Sequence, residues 1–101
     1  MKDALYLLTP GFRDPAYPGD NFYCWHCALL EGILASFPEL AAKIDVYRIA
    51  WPRPRAELVA LLGSENQSLP VLVLSDGGFI DDKDEILKAL TKRHGFPLPH
   101  P

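Results

Sequence analysis

The segment Cys24-Trp25-His26-Cys27 sets two thiols three positions apart, and these are the two cysteines of the chain. One helical turn at that spacing brings two sulfurs within disulfide reach. A thiol at a helix start also meets unpaired backbone N–H groups and the positive end of the helix dipole. Both stabilise the thiolate, the attacking species in thiol–disulfide exchange. Cys24 therefore reads as the nucleophile. Cys27 falls on the apolar stripe of Leu30, Ile33, Leu34 and Phe37, which shields it until a mixed disulfide forms, and it reads as the resolving thiol. A protonated His26 favours a thiolate beside it by Coulomb attraction, whereas a neutral surface imidazole does not. Trp25, between two site residues, reads as a substrate contact or as ordinary packing.

The other chemistry open to two thiols is metal binding. A closed zinc site takes four ligands, and beyond this pair the chain offers only His94 and His100 far downstream, with His26 poorly placed to share an ion with both sulfurs. No metal is expected in a single chain. Two chains pooling four thiolates, on zinc or on a shared iron–sulfur cluster, remain an alternative.

Positioning such a pair takes a helix opening at residue 24, and the patterning supplies it. Residues 4–8 form a short apolar run closed by Pro10 and Gly11, which predicts a buried strand. Residues 10–23 carry Pro10, Gly11, Pro15, Pro18 and Gly19. A loop of that length is uncommon in a small domain, and such loops are usually functional. A helix is predicted over 24–37, ended by Pro38. A β-branched and aromatic run over 44–50 predicts a second strand. Pro54 suits the first turn of a helix through Leu62, stopped by Gly63. Val71 to Leu74, Asp76-Gly77-Gly78 and Phe79-Ile80 read as a hairpin. A last helix opens at Asp82, with Glu85 three residues on, and closes around Gly95. The expected fold is α/β in the order β-α-β-α-β-β-α. A right-handed crossover makes the first two strands parallel, and the hairpin adds antiparallel strands to one mixed four-stranded sheet. On that topology Cys24, Trp51 to Arg55, Pro70, Asp81 and Asp82 converge at one sheet edge.

The chain has 101 residues, of which 49% are hydrophobic and 23% charged. That mixture closes one core without a disulfide framework, giving a single domain over 1–95 and a short Pro-rich tail over 96–101 that is expected to fray. A net charge of −3 argues against nucleic acid or an anionic membrane as partner, because both are held by clustered Lys and Arg. The first apolar run is too short to span a bilayer and lacks a basic lead-in. The protein is expected in the cytoplasm, where a close cysteine pair is catalytic, redox-sensing or metal-binding more often than a structural bridge.

Taken together, the first strand, the C-x-x-C helix, the second strand, the helix, the proline-led hairpin and the final helix resemble the thioredoxin-like superfamily over nearly the whole chain. The proportions are those of a glutaredoxin, and the chain also resembles an uncharacterised bacterial family of this fold. The resemblance implies a thiol–disulfide oxidoreductase with no bound prosthetic group, acting on a disulfide-containing protein or with glutathione as co-substrate. It implies a cis-proline at Pro70, with Leu69 offering its backbone to a bound peptide or glutathione. It implies that Asp82 holds the glutathione amino group and that Arg53 or Arg55 holds its glycine carboxylate, although Asp82 is fully explained as a helix N-cap and the arginines as a solvated loop. The Trp-His dipeptide departs from the Gly-Pro of thioredoxins and the Pro-Tyr of glutaredoxins. A redox-sensing, glutathione-binding or metal-binding module without turnover is the alternative on the same fold.

Overall fold

A computed structural model describes residues 2–101. Among them the elements run β1 (Ala4–Leu8), α1 (Trp25–Ser36), α2 (Pro38–Ala41), β2 (Asp45–Ile49), α3 (Ala56–Leu62), β3 (Val71–Val73), β4 (Phe79–Ile80) and α4 (Lys83–His94). The strands form one sheet in the order β2-β1-β3-β4. β1 runs parallel to β2, from Ala4 opposite Asp45 to Leu8 opposite Ile49. β3 runs antiparallel to β1 and to β4. The protein is thus α/β with a mixed four-stranded sheet.

β1 explains the layering. Its side chains alternate across the sheet, so Leu5 and Leu7 enter one cluster with Cys27, Leu30, Leu34, Ile86, Leu90 and Phe96. Tyr6 enters a second with Ile49, Leu58 and Val71. Helices α1 and α4 therefore cover one face and α3 the other. A strand buried on both faces reads as a continuous apolar run rather than an alternating one, which is why ALYLL looks as it does.

Two prolines and a phenylalanine add to or depart from expectation. Pro38 ends α1 but also opens α2, as its first residue, where a missing N–H costs nothing. Pro54 lies before α3 rather than in its first turn; Arg55 is the N-cap residue, and the Arg53–Pro54 bond is cis. The Leu69–Pro70 bond is cis as well, here in agreement with the sequence-based expectation. Phe96, expected in the tail, is 2% exposed and belongs to the main core. Gly95, with a left-handed φ of 77°, turns the chain back so that the Phe96 N–H meets the Leu90 carbonyl at 3.3 Å, and its ring packs edge-on against Phe37. A left-handed glycine followed by an apolar contact onto the helix it ends is a common stop. No described helix is long and apolar enough to cross a membrane.

Candidate active site

The C-terminal ends of β1, β2 and β4 and the start of β3 share one edge of the sheet, as their pairing requires. The cysteine pair sits there. Cys24 is the N-cap of α1 with extended dihedrals, and its sulfur accepts a hydrogen bond from the Cys27 N–H at 3.3 Å. A cap side chain satisfying an orphan N–H is the usual device at this position, here performed by sulfur in place of the oxygen of Ser or Asp. The two thiols are free and unlike. Cys24 is half-buried, whereas Cys27 is 2% exposed. Burial, reinforced by its contact with Cys24, pushes the Cys27 thiol up to about 12, against a smaller opposite pull from the Leu8 N–H that donates to its sulfur at 3.4 Å.

The neighbours named from the sequence fall into place unevenly. Trp25 is 65% exposed, its ring 3.9 Å from that of His26, so it is a surface group rather than packing. The Lys83 ammonium sits 5.3 Å over the same indole, within cation–π range, which brings the start of α4 beside the dithiol. Asp82 caps that helix, its carboxylate accepting from the Glu85 N–H at 3.0 Å. Leu69 and Trp51 pack on the cluster that also holds Cys24.

Arg55 departs furthest from its assigned part. It is 6% exposed, and its guanidinium donates to the Trp51 carbonyl twice, at 3.1 and 2.8 Å, and to the Gln67 carbonyl. With its donors turned to the main chain, Arg55 is a tie across the loops at 51–55 and 63–70, not a free cation for a carboxylate. Burial and the nearby Arg53 lower its pKa, and the two cysteines pull it back up. Arg53 is exposed and is the one left for that part. Among the described residues no three His, Cys, Asp or Glu side chains gather as a metal-ligand group.

What the sequence left undrawn is the wall beside the sulfurs. The segment from Pro10 to Tyr23 closes on itself through a bridge between Phe12 and Phe22, with Gly11 and Phe12 N–H groups donating to the Phe22 carbonyl at 2.9 and 3.0 Å and Phe22 donating back at 2.7 Å. Gly11 holds a φ of 81°, a region costly for any side chain. Oriented to donate, the Asn21 carboxamide lies 3.2 Å from the Gly11 and Phe12 carbonyls. Phe12 stacks on Trp51 at 5.5 Å, and Tyr17 meets Phe22 edge-on. Between this wall and α1 lies a cavity of about 480 Å³ with both cysteines among its lining residues. The legible signal was the aromatic content of an otherwise Pro/Gly-rich loop.

A second polar cluster lies at the opposite end of β1. Asp3, 2% exposed, accepts from Arg93 at 2.7 and 3.0 Å and from the Ser75 N–H at 2.7 Å, with the His94 ring nitrogen at 2.8 Å. The Arg93 guanidinium beside it holds its carboxyl well below the usual carboxylate range. No curated protein and no solved structure matches the chain. The model of the family described as "Protein of unknown function (DUF3088)" matches residues 2–98, and the chain belongs to that family.

Proposed function

We propose that this is a thioredoxin-like thiol–disulfide oxidoreductase working through Cys24 and Cys27. The observation that carries the reading is the inequality of the two thiols: a half-buried cysteine capping α1, and a buried partner one turn on whose thiol is pushed up to about 12. That is the arrangement the two-step exchange asks for. The Cys24 thiolate attacks one sulfur of a disulfide, a new S–S bond forms, and the displaced thiolate leaves and takes a proton. Cys27 then gives up its proton and attacks Cys24, expelling the second thiol. Two protein thiols have become one disulfide, and the substrate disulfide has become two thiols. At the helix start the Cys24 sulfur already accepts the Cys27 N–H, a backbone donor with no other intrahelical partner.

Glutathione is the proposed small co-substrate, with Leu69, which packs on the same cluster as Cys24, and the adjoining Pro70 offered to its backbone, Trp25 as an exposed contact, and Asp82 and Arg53 as groups for its charged ends. Equilibration in glutathione buffers of graded ratio, acid quenching and intact mass tests the reading. One transition to an intramolecular disulfide is expected, and Cys27→Ser should stop at a glutathione adduct on Cys24. A pair that stays reduced at every ratio, or an adduct found on neither cysteine, overturns it.

A further inference from the structure

Exchange requires only that a disulfide reach Cys24, yet the cavity beside the dithiol measures about 480 Å³, within the range of small-molecule sites. Its wall is already built, held by the Phe12–Phe22 bridge and the Phe12–Trp51 stack, so little ordering accompanies binding. Its lining residues are chiefly Leu8, Pro10, Phe22, Tyr23 and Ala28, with no Lys, Arg or His among them, and the carboxamide of Asn21, also on the lining, is turned to the Gly11 and Phe12 carbonyls. The one charge on it is Glu31, which Arg48 already holds through two hydrogen bonds of 2.8 and 2.7 Å. A carboxylate entering here would exchange water for hydrocarbon and a like charge. An apolar group would release water from both surfaces.

We infer that this cavity receives an uncharged apolar substituent on sulfur, so that the protein selects disulfides with at least one aliphatic or aromatic group. The inference rests on Cys24 and Cys27 being an exchanging pair. In a substrate R–S–S–R′, the apolar R lies in the cavity and Cys24 attacks the sulfur that bears it. The Cys24–S bond forms as the S–S bond breaks, and R′–S⁻ departs on the open side. Cys27, a lining residue of the same cavity, then displaces R–S⁻ and closes the protein disulfide.

Methanethiosulfonates, R–S–SO₂–CH₃, test this because the small methanesulfinate leaving group is constant while R is methyl, benzyl or carboxyethyl. Each rate with the reduced protein, read by quenching and intact mass, is divided by the rate with 2-mercaptoethanol. Each buried methylene is worth about fourfold, so the benzyl reagent should outrun the carboxyethyl one by at least about tenfold after that correction. Ala28→Phe, which fills the cavity from α1, should lower the benzyl-to-methyl ratio by at least about fivefold. If that variant does not fold, the reagent series on the unsubstituted protein decides alone. Corrected rates that are equal for benzyl and carboxyethyl overturn the cavity assignment and leave exchange standing. A Cys24 that ignores even the methyl reagent overturns the exchange reading instead.

Discussion

A thiol with a pKa of about 12 is ionised to only about one part in 10⁵ at pH 7, and the thiolate is the form that alkylates. Iodoacetamide on the folded, reduced protein should therefore label Cys24 at least tenfold faster than Cys27, as read by peptide mass; equal labelling would remove the inequality on which the roles rest. Urea should abolish the difference, since burial is its first cause. At the other end of β1, Asp3 has a folded pKa below its unfolded value near 3.9. Its contribution to stability is thus fully present above about pH 4 and is lost as pH falls further toward the folded value. Thermal melts of the protein should drop on acidification through that window. Asp3→Asn should cost roughly 1 to 3 kcal/mol at pH 7, the scale of charged hydrogen bonds removed from a buried site, and should flatten the acid limb. A melting curve unchanged by the substitution would show the cluster to be of no consequence for the fold.

At the scale of elements, what could be read from the sequence was whatever a local rule governs. The apolar run of β1, the stripe of α1, the Asp82 cap and the Gly95 stop each depend on neighbours within a turn, and the element order followed from them. The short helix that Pro38 opens was missed, and Pro54 was misplaced, because a proline fixes its own φ without saying on which side of it a helix lies. Phe96 was assigned to the tail because nothing local distinguishes an apolar residue that folds back from one that frays. Arg55 was the least legible, since its role is set by carbonyls at Trp51 and Gln67, one of them a dozen positions away. Arg55→Leu should leave those buried acceptors without donors, lower stability by about 2 kcal/mol or more, and expose the segment 63–70 to limited proteolysis. Unchanged stability and unchanged cleavage would mean that the tie is dispensable.

For the molecule as a whole, the three strands that end at the site edge and the one that begins there bring the dithiol, Trp51, Leu69 and the start of α4 together, and this convergence was deducible from strand direction alone. The cavity was not, because its wall depends on how an irregular loop closes across fourteen positions, which no periodicity encodes. Ligand arithmetic gives a further expectation for the intact protein. One chain supplies two thiolates where closed zinc sites take four ligands. Material purified under reducing conditions without chelator should thus hold two titratable thiols per chain and no stoichiometric metal. About one zinc per two chains, lost together with a dimer on Cys24→Ser, would replace exchange by metal binding. The Leu8 N–H that donates to the Cys27 sulfur belongs to a strand in the interior of the sheet. Any chemistry at that sulfur therefore alters the protection of one backbone amide at the end of β1. Its deuterium uptake, slow while the thiol accepts and faster once the sulfur is displaced into a disulfide, would register the redox state of α1 from within the sheet.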